Sequence, residues 1–217
     1  MCIRDSPAHH CAAPRLRRAS DDRAARARPL PASPSPAYSP VVTDEIRPAT
    51  EDDLTAITAI YGNAVSTSTA SFETEPPSLD EMTRRFTILR AGGFPYLVAV
   101  RDGSVAGYAY AGPYHQRAAY RSTVEDSIYV AQACRGGGIG RRLLAALITE
   151  CERIDCRTMV AVIAESGSPA SVALHAGLGF TPIGTLSGVG YKHGRWLDVT
   201  LMQRPLAAAR TAAPTRV

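Results

Sequence analysis

Residues 133–144 read "ACRGGGIGRRLL", with Gly136, Gly137, Gly138 and Gly140 set directly before a helical pattern. Glycine inside regular structure costs roughly 0.5–1 kcal/mol relative to alanine. A chain that spends four of them at one junction is making a tight turn there, or bringing bare backbone close to something. The preceding strand pattern "STVEDSIYV" ends at Val130, and the helix begins near Ile139. The first turn of a helix has unsatisfied N–H groups and a partial positive charge. Without Cβ atoms in the way, a bulky anion can reach them, so the junction is suited to a phosphate or pyrophosphate. Arg135, Arg141 and Arg142 add positive charge.

Three anion-binding patterns compete with a plain glycine turn. A Walker loop needs Lys and then Ser or Thr after the last glycine, and Arg141 and Arg142 stand there instead. A dinucleotide fingerprint needs G-x-G-x-x-G on a βαβ unit. Gly136 and Gly138 are followed by Arg141 at its third position, and the strands before them are joined as a hairpin. R-x-x-G-x-G is met by Arg135, Gly138 and Gly140.

Around the junction the chain reads as one mixed α/β domain over residues 44–206, in the order βααβββαβαββ. "EIRPAT" is a short strand, after which Thr50 caps a helix with Asp53 as a weak capping-box analogue. Leu54, Ile57 and Tyr61 share that helix's inner face. Ser78 and Glu81 form a full capping box for "LDEMTRRFTILRA". "YLVAVRDGSVAGYAYAG" is a hairpin turning at Asp102-Gly103. Leu143, Leu144, Leu147 and Ile148 face inward from the helix after the glycines. "RTMVAVIA" is a strand, and "SPASVALHAGLG" a helix ended by Gly177 or Gly179. "FTPIGTL" and "YKHGRWLDVTLMQRPL" are the closing strands.

The flanks differ. Residues 1–43, rich in Arg, Ala, Pro and Ser, lack apolar periodicity and cannot bury enough surface to offset their ordering entropy, so a disordered tail is expected. The opening "MCIRDS" resembles a read-assembly artefact, which would place the true start downstream. Residues 207–217 read as a second unstructured tail.

Composition excludes several classes. With 45% hydrophobic and 20% charged residues, the chain is an ordinary globular one. A net charge of +4, much of it in the first segment, gives no nucleic-acid-binding face. No apolar run approaches the roughly 20 residues of a membrane helix. The five cysteines have no zinc-ligand spacing with histidine and read as reduced thiols in the cytoplasm. Cys134 has no histidine near it in sequence to activate it as a nucleophile.

The R-x-x-G-x-G loop resembles the pyrophosphate loop of the GNAT acetyltransferase superfamily. The stretch from Ile46 to about Leu206 is similar to that superfamily in element order, and more narrowly to phosphinothricin and methionine sulfoximine N-acetyltransferases. The carrying residues are "SFETEPPS" (71–78), "AGYAYAGPY" (106–114), "YRSTVEDSIYV" (120–130), "RGGGIGRRLL" (135–144), "MVAVIAESGSPASVALHAGLGF" (159–180) and "GYKHGRWLDVTLMQ" (190–203).

The resemblance implies a mainly antiparallel twisted sheet with helices on both faces. It implies acetyl-CoA as co-substrate, no metal, a small-molecule amine as acceptor, and, since relatives often dimerise, it allows a homodimer. Glu125 falls at the family's catalytic glutamate. On the residues alone it shares a strand face with Ser127 and opposes Val124, Asp126 and Ile128. Ile128, Tyr129 and Val130 match the strand end whose backbone pairs with pantetheine. Arg135, Gly136, Gly137, Gly138, Ile139, Gly140 and Arg141 match the pyrophosphate loop. Ser168 stands where relatives carry a coenzyme-contacting Asn, and a serine reaches less far. His175 matches a frequent helix histidine, read either as a proton donor to the leaving thiolate or as a packed side chain. Phe72, His115, Gln116, Arg117 and Arg121, with Glu125, Asp126 and Ser127, are the expected acceptor-side residues. Asp126 departs from the family's usual His. "YKHGRW" matches a family hairpin rather than a nucleic-acid site. The expected reaction is direct transfer to the amine of a phosphinothricin-type amino-acid analogue. Another small amine, a protein N-terminus, or a non-catalytic acyl-CoA-binding role are the alternatives.

Overall fold

The computed structural model describes residues 45–164 and 169–206. The expected tails at 1–43 and 207–217, and Ser168, lie outside the described residues. The seven strands are β1 (Glu45–Pro48), β2 (Tyr96–Arg101), β3 (Ser104–Pro113), β4 (Thr123–Val130), β5 (Thr158–Ala164), β6 (Thr181–Lys192) and β7 (Arg195–Pro205). They form one sheet in the order β1-β2-β3-β4-β5-β7-β6. Every neighbouring pair is antiparallel except β4 with β5.

Each face of the sheet carries its own core. Helices α1 (Leu54–Thr67) and α2 (Leu79–Ala91) cover one face, where Ile57, Tyr61, Met82 and Phe86 pack on Tyr96, Val98 and Tyr108. Helix α3 (Ile139–Arg153) covers the other, burying Leu143, Leu144, Leu147 and Ile148 as its apolar periodicity requires. Helix α4 (Pro169–Ala176) joins that side through Val172 and Leu174 and stops before Gly177.

The two expected capping boxes exchange strengths. Asp53 accepts from both Thr50 N and Thr50 Oγ1, at 2.8 and 3.1 Å, and from both Arg47 terminal nitrogens. Ser78 Oγ accepts from Glu81 N at 3.2 Å, but the Glu81 carboxylate turns to Arg84 and Arg85. A bidentate guanidinium outcompetes a backbone amide for a carboxylate.

The last strands also differ from expectation. β6 does not stop at Leu186 but runs through "SGVG" to Lys192, with register shifts at Pro182/Gly184 and Leu186/Gly190. His193 and Gly194, at φ 49° and 76°, make the turn, so "YKHGRW" spans a hairpin tip. Pairing with β7 holds a glycine-rich stretch that propensity alone would leave as loop.

Candidate active site

The parallel contact between β4 and β5 covers only Thr123 to Glu125 against Thr158 to Val160. Beyond it β4 runs on to Val130 and β5 to Ala164 without pairing to each other, so the sheet forks in its middle. One edge of β4 there is held by β3. The other presents backbone N–H and C=O groups that a ligand's amides can pair with. Ligands of open sheets gather at such places, past the carboxyl ends of parallel strands.

At the end of that edge lies the glycine junction. Gly136 and Gly138 have φ of 80° and 78°, the left-handed region that side chains avoid, and Gly138 is the residue that caps α3. No side chain among the described residues caps this helix start, so its first N–H groups point into the turn. Arg135 Nε donates to Val130 O at 3.3 Å and fastens the turn to the strand end. Arg141 donates to Gly177 O at 3.0 Å, tying α3 to the segment after α4. A Cβ on Gly137 would lie 3.2 Å from an Arg101 terminal nitrogen, so Arg101 of β2 also borders the turn. Ile139 is buried beneath it, and Gly140 lies against Leu174 and Val130. The donors, the charge and the missing Cβ atoms fit a pyrophosphate group.

Glu125 occupies the last paired position before the fork, opposite Gly112 on β3 and Val160 on β5. It is half-buried on the α2 side of the sheet, where Leu89 lies against Gly112. Burial first, and the charge of Asp126 second, raise its carboxyl above the ordinary 4.5. Ser127 and Tyr129 follow on the same face. Ser127 lies opposite Tyr110 in the β3–β4 register, and Tyr110 stacks on Tyr96 at 5.0 Å. A cavity of about 230 Å³ lies beside this face, lined by Tyr61, Met82, Arg85, Leu89, Tyr96 and Tyr110 among others. A polar chain borders it: Tyr61 OH meets Ser71 Oγ and Glu73 Oε1 at 2.8 and 2.9 Å, and Arg85 donates to Glu73 at 2.6 Å.

Asp126 does not share that face. It lies on the α3 and α4 side of the sheet, 8% exposed, with Oδ2 3.0 Å from His175 Nε2. Strand alternation sends it to the far side of the sheet from Glu125. His175 is itself buried, its Nδ1 2.7 Å from Ser171 O and its ring edge-on to Phe180. Ile128 and Val130 pack toward the same core as Asp126, while Tyr129 joins the tyrosine stack.

His115, Gln116, Arg117 and Arg121 are exposed in the β3–β4 connection, at the end of β4 nearest Glu125 and farthest from the glycines. His115 packs against Tyr114 and Tyr120, and Arg121 reaches back to Ala118 O. Phe72 lies over Gly190 of β6. The connection carrying Phe72 is held by Lys192, a buried lysine whose Nζ donates to Ser71 O at 2.7 Å. Burial lowers the Lys192 ammonium below its usual range.

The sequence alone does not single out Arg101, Tyr110, Arg85 or Glu73, and it gives Lys192 only a structural place in "YKHGRW". The alternation of Tyr108 and Tyr110 in "YAYAGP" was a usable signal, since it aims both at one face. The others meet the site only through long-range packing.

Residues 46–201 match the family model described as an acetyltransferase (GNAT) domain. The chain belongs to the GNAT acetyltransferase family. Within that family it is 51% identical over 169 residues to a phosphinothricin N-acetyltransferase of Alcaligenes faecalis, covering 78% of this chain and 86% of the relative. It is 43% identical over 168 residues to an L-methionine sulfoximine/L-methionine sulfone acetyltransferase of Pseudomonas paraeruginosa, covering 77% and 97%. Among solved structures, a GNAT phosphinothricin acetyltransferase of Sinorhizobium meliloti in complex with acetyl-CoA superposes with a TM-score of 0.77 at 45% identity, covering 80% and 94%. The mainly antiparallel sheet with helices on both faces is that of this acetyltransferase family.

Proposed function

We propose that residues 44–206 form an acetyl-CoA-dependent N-acetyltransferase acting on the primary amine of a small amino-acid analogue of the phosphinothricin or methionine sulfoximine type, with Glu125 as the base. The position of Glu125 carries this reading. It is half-buried at the last residue pair before the fork, on the strand whose unpaired edge leads to the glycine turn. The names and identities of the relatives support the acceptor class.

In this reading the backbone of Ile128, Tyr129 and Val130 pairs with the coenzyme's amides. Residues Arg135, Gly136, Gly137, Gly138, Ile139, Gly140 and Arg141 hold its pyrophosphate, and Ser168 stays on the coenzyme side. Phe72, His115, Gln116, Arg117, Arg121 and Ser127 frame the acceptor, with the arginines facing its acid group. An α-amine ionises near 7.7–8.0, so a carboxylate, directly or through water, suffices to take its proton. Glu125→Gln keeps the shape and loses the basicity. It should lower kcat/KM by roughly 10²–10⁴-fold with the acetyl-CoA KM nearly unchanged. Near-parental kcat/KM at every pH would reduce Glu125 to a strand residue.

We further infer a homodimer and a cytoplasmic location. The β6–β7 hairpin exposes Ile183, Leu186, Val189, Tyr191 and Trp196, an apolar surface that a second copy would cover. A monomer in sedimentation at micromolar concentration would overturn the dimer. The thiols of Cys134, Cys151 and Cys156 suit a reducing compartment. No helix among the described residues is long and apolar enough to cross a membrane, and no cluster of metal-ligating side chains occurs among them.

A further inference from the structure

Asp126 sits one residue past the last β4–β5 pair, at the point where the two strands part. His175 reaches it there from α4, 49 residues along the chain. The imidazole is held on both sides. Ser171 O, a carbonyl, can only accept, so Nδ1 at 2.7 Å carries a proton. The 3.0 Å contact of Nε2 with Asp126 Oδ2 then needs one more proton, on the ring or on the carboxyl group. Asp126 Oδ1 is buried and has no hydrogen-bond partner among the described residues. With that proton on Oδ2 a neutral acid would donate to Nε2; with it on Nε2 an imidazolium faces a carboxylate and makes the stronger, charge-assisted bond.

We propose that Asp126 is a positioning residue: it holds His175 as an imidazolium at the fork, fastens α4 to β4, and through that counter-ion limits the negative charge felt by Glu125. The second part rests on reading Glu125 as the base.

Among the described residues the surroundings of this pair are electrostatically simple. On β4 the neighbouring titratable group is Glu125, on the opposite face of the sheet. β5 contributes Met159, Ala161 and Ile163 to this side, and Phe180 lies edge-on to the ring. From α3, Arg141 reaches Gly177 O, and from β7, Arg204 reaches Leu178 O, both past the end of α4. Burial works against the charged imidazole, but the bond to Asp126 and its charge outweigh that, and the His175 ring is raised above the ordinary 6.5.

Two measurements on the full chain test the proposal. The first is nitrogen-15 NMR of the histidine rings at pH 7, assigned by loss of signals in His175→Gln. Both His175 nitrogens should be protonated in the parent, and Asp126→Asn should leave a neutral ring protonated at Nδ1. A neutral His175 ring in the parent overturns the proposal. The second is the acid limb of kcat/KM with acetyl-CoA and methionine sulfone. It should move to lower pH in Asp126→Asn, which removes the neighbouring anion, and to higher pH in His175→Gln, which strips that anion of its counter-ion. Coincident limbs in all three proteins overturn the charge role. If Asp126→Asn does not fold, the parent ring state and the His175→Gln limb decide. Near-parental activity of Glu125→Gln would sink the base reading and the charge role with it, while the ring state still judges the pair.

Discussion

Phe72 and Gly190 are in such close register that a Cβ on the glycine would overlap the phenylalanine ring. The ring belongs to the connection after α1, and the glycine to β6 near its hairpin tip. Their contact, with the Lys192 bond to Ser71, fastens the loop proposed to border the acceptor to the far end of the sheet. Gly190→Ala must therefore push the ring aside. The expected result is a several-fold rise in acceptor KM, on the order of 1 kcal/mol, with acetyl-CoA KM unchanged. Equal effects on both substrates would remove Phe72 from the acceptor side.

Gly138 takes a left-handed conformation at the start of α3. Gly138→Ala adds about 1 kcal/mol of backbone strain and should weaken acetyl-CoA binding several-fold. Gly138→Asp also places a negative charge at the helix start and should weaken it by roughly tenfold or more. Calorimetric affinities that match the parent in both folded variants would exclude the turn from the coenzyme site.

With Glu125 as the proposed base, its raised carboxyl fixes the sense of the rate profile. A base acts when ionised, so kcat/KM should fall as pH drops through its value in the free enzyme, which lies above 4.5. In Glu125→Gln this limb should vanish, leaving the ionisation of the acceptor amine as the remaining dependence. A limb of unchanged midpoint in the variant would assign it to another group.

Asp53 gives a stability test remote from the chemistry. Its bond to Arg47 and the donors of Thr50 outweigh burial and lower its carboxyl from 3.8 to about 2. A depressed carboxyl stabilises the fold above its unfolded value and ceases to do so as pH falls through its folded value. Asp53→Asn should thus cost about 2 kcal/mol at neutral pH, or about 4–8 °C in Tm. The gap from the parent should close between pH 4 and pH 2. A gap that persists below pH 2 would trace the loss to packing.

Local signals carried much of this architecture. The Asp102-Gly103 turn, with φ of 50° and 75°, and the inward leucines of α3 lie where periodicity and turn chemistry put them. The glycine junction was legible for the same reason, since donors, charge and helix start are adjacent in sequence. What escaped was set by distant partners. His175 meets Asp126 across 49 residues and Lys192 meets Ser71 across 121, separations that no window of sequence spans. Alternation had already put Asp126 opposite Glu125, and the resemblance alone drew it toward the acceptor. β6 looked shorter than it is because Gly188 and Gly190 interrupt its own propensity, and β7 supplies the pairing that overrides them.

The fork between β4 and β5 also governs what can approach. An unpaired strand edge ordinarily invites another protein's strand and, with it, aggregation. Here the edge lies inside the sheet, closed at one end by three residue pairs and bounded at the other by the arginine-rimmed turn. A second sheet cannot slide into that notch, but a single slender chain carrying amides and ending in an anion can. The fold thus sorts its visitors by girth before any side chain reads their chemistry.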